Sequence, residues 1–278
     1  DICPSRGLGD VYKRQKCDSS VPTVVLLTPG HLNSAYYEHT FLSDQMGIEM
    51  VEAQDLFVEN DFLYMKTVDG PKKIDVVYRR IDDDYLDPLA YNPNSVIGVP
   101  GITHVYKTGG VNICSAPGAG IADDKAVYIY VPEMIKFYLG ETPILDNVQT
   151  WRCERDDDLK YVLENIDELV IKEVDGSGGH GMLIGPKSTK QEIEDFSSKL
   201  KLHPEGYIAQ PTLDLSSSPT LIDNEISGRR VDLRPFCLLG EKVQLCPGGL
   251  TRVALGKGSY VVNSSQGGGV KDTWVLAD

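Results

Sequence analysis

Hydrophobic positions follow two rhythms along this chain. Residues 23–27 (TVVLL) form an unbroken β-branched and aliphatic run closed by Pro29-Gly30, which predicts a buried strand of a parallel sheet. Residues 36–46 then read as a helix stopped by Gly47, and 48–52 as a second strand. A strand–helix–strand order of this kind implies a right-handed crossover. Residues 56–58 and 63–67 predict a hairpin about Glu59-Asn60-Asp61, whose residues tolerate positive φ. Residues 74–79 read as one further strand. It ends in Arg79-Arg80-Ile81-Asp82-Asp83-Asp84, a charge cluster at the carboxyl end of a strand, where open α/β sheets bind their ligands.

The second half alternates the same elements with glycine-rich breaks. Residues 111–114 predict a short strand, and 116–120 (APGAG) turn the chain into a helix that carries Lys125 and ends near Gly140. Pro132 inside it predicts a kink or a break. Residues 156–165 read as helix, 169–174 as strand, 176–181 as a glycine cluster and 182–184 as its return strand. Then come a helix over 189–200, a strand over 207–210 closed by Pro211, antiparallel strands over 231–239 and 242–246, and a third over 260–263. A second glycine run, 267–269, lies near the end, and no internal repeat is present. These elements predict a mixed α/β (α+β) chain: an α/β, partly parallel part over 21–112, then parts over 113–210 and 211–278. Residues 1–15 lack apolar periodicity, and GLGDVYKRQ resembles translated cloning or adaptor sequence. Residues 1–20 are therefore expected to be a non-native or disordered leader that replaces the natural start.

Charge narrows the partners. With 27 basic and 41 acidic residues the net charge is −14, a field that repels nucleic-acid phosphates and anionic membranes while leaving room for a local basic nucleotide site. The six cysteines form no C-x-x-C pair and lie at no zinc-finger spacing from a histidine, so they read as reduced, mostly buried thiols of a cytoplasmic protein. No apolar run reaches the ~18 residues of a membrane span.

Candidate chemistry centres on VIKEVDGSGGHGM at 170–182. Lys172 lies inside a strand and faces either a ligand or a core it must snorkel from. Gly176, Ser177, Gly178, Gly179, His180 and Gly181 form either a surface hairpin or a loop whose N–H groups cover phosphates. The spacing fits neither a Walker nor a Rossmann fingerprint. Lys125, after Asp123-Asp124, is either an exposed helix lysine or a second phosphate ligand. Arg230, Asp232 and Arg234 share one strand face, opposite Val231 and Leu233. That face is either solvated or grips phosphate or carboxylate oxygens. Among the five histidines only His180 is placed to touch a ligand.

Taken in order, YRRIDDDYLDP, APGAGIADDKAVY, VIKEVDGSGGHGM, YIAQP, RRVDLRPF, GGLTRVA and VVNSSQGGGVKDTWVL resemble the circularly permuted ATP-grasp family, relatives of glutathione and glutathionylspermidine synthetases. The resemblance runs from about residue 23 to the end. It implies a pre-ATP-grasp substrate subdomain (21–112), a lid-bearing subdomain (113–210) and a C-terminal subdomain (211–278), with ATP held between the last two. Lys125 and Lys172 would contact phosphates beneath the 176–181 lid, and adenine would bond to the strand that includes Ala209 and Gln210. Arg79, Arg80 and Arg252 would hold an acidic substrate or its acyl phosphate, Arg234 would join the nucleotide contacts, and Asp175 would help hold Mg²⁺. The family's acid-x-Asn magnesium pair has no counterpart here, since no asparagine follows an Asp or Glu by two positions. The implied activity is ATP-dependent ligation of a small carboxylate to an amine or peptide, on an incomplete chain. The alternatives are a non-catalytic nucleotide-binding module and a phosphotransferase, although no H-R-D or D-F-G motif supports the last.

Overall fold

A computed structural model describes residues 21–176, 181–263 and 267–275. It is a mixed α/β structure with parallel and antiparallel sheets, and it divides into two compact units, residues 1–122 and 123–278.

In the first unit β1 (Val24–Leu27) is the hub. It pairs in parallel with β2 (Glu49–Val51) on one side and β6 (Val76–Arg79) on the other, and β7 (Asn112–Cys114) extends the parallel sheet beyond β6. Helix α1 (Tyr36–Met46) makes the β1-to-β2 crossover and stops at Gly47, which adopts the left-handed φ of 63° that glycine takes without a Cβ penalty. Thr28 Oγ1 lies 2.9 Å from His39 Nδ1 of α1, so α1 covers the sheet face that Val24 and Leu26 share with Thr28. Val25, Leu27 and Val77 turn to the other face. There they pack with Val51, Leu63, Ile74, Ile102 and Val105 into one apolar core.

Part of that core comes from an antiparallel meander of β3 (Leu56–Glu59), β4 (Phe62–Thr67) and β5 (Gly70–Ile74). Asn60 and Asp61 both have positive φ, 49° and 64°, as the expected hairpin turn requires. The strand expected over 74–79 is two strands in two sheets. The Asp75 N–H donates to Thr23 O at 3.0 Å while its carboxylate accepts from Thr23 N at 2.9 Å, and that exchange carries the chain from β5 to β6. Two helices, α2 (Asp83–Leu86) and α3 (Ile102–Thr108), have no counterpart among the expected elements. Buried Asp87 holds α3 in place by accepting from the N–H groups of Leu89, Gly101 and Thr103 at 2.9–3.0 Å.

The second unit carries two four-stranded sheets. One has the order β10-β9-β11-β8, formed by β8 (Trp151–Arg152), β9 (Leu169–Glu173), β10 (Leu183–Ile184) and β11 (Tyr207–Pro211), all antiparallel. Helices α5 (Asp156–Glu164) and α6 (Lys190–Leu202) flank β9 and β10 in the chain, and their Val162 and Leu200 pack on Cys153, Ile171, Leu183 and Ala209. Helix α6 begins with a reciprocal bond between Thr189 and Glu192, the capping-box chemistry of its T-x-x-E start. The other sheet has the order β12-β13-β14-β15, from β12 (Ser217–Ile222), β13 (Glu225–Leu239), β14 (Val243–Val253) and β15 (Gly269–Thr273).

Two of the expected elements differ in the structure. Lys125 is not in a helix: the chain makes one-turn helices at Ala119–Asp123 and Val127–Tyr130 before α4 (Val131–Leu139). The Asp124 carboxylate takes the Ala126 N–H at 2.7 Å and the Lys125 N–H goes to Val174 O at 3.0 Å, so local and sheet bonds displace a helical start. The break expected at Pro132 is present: the one-turn helix Val127–Tyr130 gives way to α4 at Val131, and Pro132 occupies the first turn of α4, where its missing N–H is harmless. Finally, residues 260–263 are not a strand, and the edge of β14 is taken by β15. Of the described cysteines Cys153 is buried, as expected, but Cys237 is exposed. Burial pushes the Cys153 thiol up to about 12, so at neutral pH it should resist iodoacetamide in the folded protein while Cys237 reacts. Mass mapping of the labelled peptides checks this, and equal labelling would contradict it.

Candidate functional site

Antiparallel register sorts the residues of the β8–β11 sheet onto two faces. Ile208 stands opposite both Lys172 on β9 and Arg152 on β8, and Gln210 stands opposite Val170. Directly paired residues share a face, so Lys172, Ile208, Gln210 and Arg152 line one side. The other side carries Ile171, Ala209 and Leu183 into the helix-backed core. Ala209, expected at the adenine, is fully buried in that core, which leaves it only main-chain groups to offer a ligand.

Lys172 is the centre of the polar face. Its ammonium donates to Gln210 Oε1 at 2.7 Å, and Gln210 Nε2 donates to Thr150 Oγ1 at 2.9 Å. Burial first, and then the positive charge of Lys125, pull this ammonium below the ordinary lysine value. The structure therefore gathers the two lysines that the sequence left forty-seven positions apart. Lys125 Nζ donates to the main-chain carbonyls of Val174, at 3.4 Å, and Gly176. Both carbonyls belong to the segment that leads from β9 into the glycine cluster.

Residues 177–180, and with them Ser177, Gly178, Gly179 and His180, lie outside the described residues. The cluster's far end, Gly181, has φ +67° and a built Cβ there would stand 2.2 Å from the Glu173 carboxyl carbon. The positive φ favours glycine at this turn, and any side chain there would require the Glu173 carboxylate to move aside. Asp175 is exposed beside Gly176. Among the described residues no three His, Cys, Asp or Glu side chains gather to hold a metal ion.

On the second sheet of this unit, Arg234 and Asp232 form a forked pair at 2.8–3.3 Å, which confirms that they share a face. That face is the better covered one, since Leu233 on the opposite face is 62% exposed. Arg230 pairs with Asp214 at 2.8 Å and lies 3.9 Å from the Tyr260 ring centroid. Arg252 donates through Nη1 to Asn263 Oδ1 at 2.9 Å, and its buried Nε has no hydrogen-bond partner among the described residues.

In the first unit, Arg79 is buried and its donors serve its own neighbourhood: Nε to Ser115 O at 2.5 Å, Nη1 to Ile81 O at 2.8 Å, Nη2 to Ala116 O at 3.2 Å and to Asp83 at 2.6 Å. Arg80 is partly exposed and pairs with Glu38. Arg80 stands at the carboxyl ends of β1 and β6, between the crossovers to β2 and to β7, where an open sheet presents its crevice.

His39 beneath it is held below its ordinary pKa, by burial first and the Arg80 charge second, against an opposing pull from Glu38. Between that lowered value and the ordinary one, the unfolded chain binds the extra proton. Stability is then complete above the ordinary histidine pKa of about 6.5 and falls as pH drops below it. His39→Gln is expected to flatten this stretch of the curve. Urea unfolding at about pH 7.5 and about pH 5.5 tests it, and parallel curves for variant and wild type would count against it.

Four residues of these neighbourhoods escaped the sequence reading: Thr150, Arg152, Glu173 and Asn263. Arg152 contacts Tyr130 and Glu154, and its buried Nε is without a partner among the described residues. Period-2 alternation in WRC would have placed Arg152 on a face opposite Trp151, but nothing in the sequence alone pairs that strand with Lys172.

The family description "circularly permuted ATP-grasp type 2" matches residues 6–254. An uncharacterized protein of Synechocystis sp. is 52% identical over 277 residues, which is 99% of this chain and 58% of that protein. An uncharacterized protein of Mycobacterium tuberculosis (strain H37Rv) is 53% identical over 92% of this chain and 47% of its own length. A Frankia alni protein named putative glutamate–cysteine ligase 2-3 is 41% identical over 91% of this chain and 29% of its own length. The chain thus spans about half the length of the first two relatives. Among solved structures, the ATP-grasp ligase PsnB complexed with a minimal precursor aligns with TM-score 0.41 and 10% identity, over 91% of this chain and 90% of that one.

Proposed function

The chain belongs to the circularly permuted ATP-grasp type 2 family, and on that premise we propose that it serves an ATP-dependent ligation of a carboxylate to an amine. The observation that carries this reading is the approach of Lys125 and Lys172 at the root of the glycine cluster, on a sheet face kept out of the core. Among the described residues the partners of the two ammonium groups are neutral, an amide and main-chain carbonyls, which they can exchange for phosphate oxygens at little electrostatic cost. The residues therefore fit a nucleotide triphosphate.

In this proposal Lys125 and Lys172 hold the phosphates, residues 176–181 cover them, and Gln210 with the main chain of Ala209 borders the base. A carboxylate oxygen of the acid substrate attacks the γ-phosphorus and ADP leaves. The amine nitrogen then attacks the acyl carbon, loses a proton, and phosphate departs with both electrons of the broken C–O bond. The lysines offset charge that builds on the transferring phosphoryl group, and the covering loop keeps water from the acyl phosphate. Arg80 and Arg252 are assigned to the acid and its acyl phosphate, and Arg234 to the nucleotide. Arg79, whose donors all serve carbonyls and Asp83, is assigned the task of holding the loop after β7.

Mg²⁺ accompanies ATP in this reading, with Asp175 as one carboxylate, and no step above is routed through it. Residues 21–112 form the substrate part, 113–210 the lid-bearing part and 211–278 the C-terminal part of the proposed enzyme. The cell location proposed is the cytoplasm. Among the described residues no helix is long and apolar enough to cross a membrane. The name of the Frankia relative supports small amino-acid-like acids and amines as the substrate class.

Isotope transfer tests the reaction. With carboxylate-¹⁸O acid substrates, one label should appear in the released phosphate together with an amide product. Phosphate release without label transfer would exclude the acyl phosphate. A stable phosphorylated product without amide would favour a phosphotransferase, and binding without turnover a nucleotide-binding module.

A further inference from the structure

The polar face beside Lys172 contains a directional chain of hydrogen bonds that no part of the ligase reading requires. Thr150 Oγ1 donates to Val148 O at 2.9 Å. Its one proton spent, the hydroxyl can only accept from Gln210, whose Nε2 lies 2.9 Å away. With its nitrogen fixed toward Thr150, the Gln210 amide presents Oε1 to Lys172, 2.7 Å from an ammonium that can only donate. Each link fixes the direction of the next, so the orientation of the amide follows from chemistry at both ends.

We propose that Thr150 is a positioning residue for the nucleotide site: by locking the Gln210 amide it holds Lys172 charged and aimed along the sheet face. The inference rests on the reading of Lys172 as a phosphate ligand, but its structural half stands without ATP. Lys172 is half-buried and Lys125 is the charged group that acts on it. An oriented acceptor is therefore what keeps the ammonium from losing its proton or swinging away. Thr150 sits just before β8, the strand farthest along the sheet from the glycine cluster, and reaches Lys172 only through Gln210.

Three variants separate this role from ordinary packing. Thr150→Val keeps the shape and removes the acceptor, freeing the amide to flip and set its NH₂ against the ammonium. Thr150→Ser restores the hydroxyl. Gln210→Glu replaces the amide by a carboxylate, which favours the charged lysine but competes with phosphate. Three readouts apply to the purified protein: the titration of Lys172 followed by NMR of ¹³C-labelled lysine, assigned with Lys172→Arg, the Kd for ATP and the thermal melt.

Thr150→Val should move the Lys172 titration to lower pH and weaken ATP binding by about three- to tenfold, the range of one lost hydrogen bond. Thr150→Ser should return both to within about twofold of wild type. Gln210→Glu should weaken ATP binding too but move the titration to higher pH with the thermal melt unchanged, whereas general damage to the fold, by exposing Lys172, would raise the titration and lower the melt together. A Thr150→Val titration that coincides with wild type, or a serine variant that behaves like valine, overturns the proposal. Should Thr150→Val fail to fold, the opposite shift in Gln210→Glu and the serine rescue decide it. Wild-type protein that shows the titration shifts yet does not bind ATP overturns the ligase reading and supports the hydrogen-bond chain.

Discussion

Lys172→Met is expected to weaken ATP binding by about 2–3 kcal/mol, roughly 30- to 150-fold, with little loss of stability. The charge is the reason. A half-buried ammonium already held below its ordinary pKa by burial and by Lys125 contributes little to folding, because its ionisation is disfavoured in the folded state. Methionine keeps the apolar stem over the sheet and leaves the phosphate without its partner, while the amide of Gln210 loses a donor. Calorimetric titration of ATP, paired with a thermal melt, separates binding from folding. An affinity within about twofold of wild type would remove Lys172 from the nucleotide site.

The largest effect on stability is expected at Asp87. Asp87 is 1% exposed and its carboxylate accepts three main-chain N–H bonds, two of which, from Gly101 and Thr103, fix the start of α3. Asp87→Ala strands those donors in a dry site and should destabilise the protein by about 3–5 kcal/mol. Asp87→Asn keeps the shape but turns an NH₂ toward one of the donors, so it should recover only part of the loss. Burial alone would raise this carboxyl's pKa, yet the N–H donors outweigh it and hold the folded value below the ordinary one. The unfolded chain therefore takes up its proton first as pH falls. The contribution of Asp87 is complete above the ordinary carboxylate pKa and is lost as pH drops through the folded value. Urea unfolding of the three proteins across that acid limb measures it. An alanine variant within about 1 kcal/mol of wild type would contradict the account.

These two sites were unequally legible in the sequence. Lys172 announced itself, because a lysine inside an apolar strand followed by glycines leaves few bland explanations. Asp87 did not: its three donors come from 2, 14 and 16 positions away, and no local pattern pairs them. The β1–α1–β2 unit was readable because its apolar run, its glycine stop and its spacing agree. The misreading at 74–79 followed from treating continuous hydrophobicity as one strand, when a single aspartate exchanging bonds with Thr23 moves the chain between sheets.

Lys125 lies beside the segment that leads into the glycine cluster, but not at the helix start that its sequence suggested. The acids before it suggested a helix start, whereas Asp124 closes a tight turn and Val174 takes the Lys125 N–H. The hairpin of β12 and β13 was missed even though Asp223-Asn224 is a strong turn signal, and both residues do adopt positive φ. Expecting the tail to pair at 260–263 failed because strand propensity in Tyr-Val-Val cannot reveal that residues 269–273 compete for the same edge. The relation between Thr150, Gln210 and Lys172 joins positions up to sixty apart and emerges only from register.

The most direct test compares ATP with AMP on wild type, Lys125→Met, Lys172→Met and the double variant, by calorimetry at one ionic strength. If both lysines grip the β- and γ-phosphates, each single change should cost ATP affinity tenfold or more, about 1.4 kcal/mol. The double change should then depart from additivity, and AMP affinity should stay within about twofold throughout. ATP and AMP losing affinity in parallel, or ATP losing none, would show that these two ammonium groups do not hold a triphosphate.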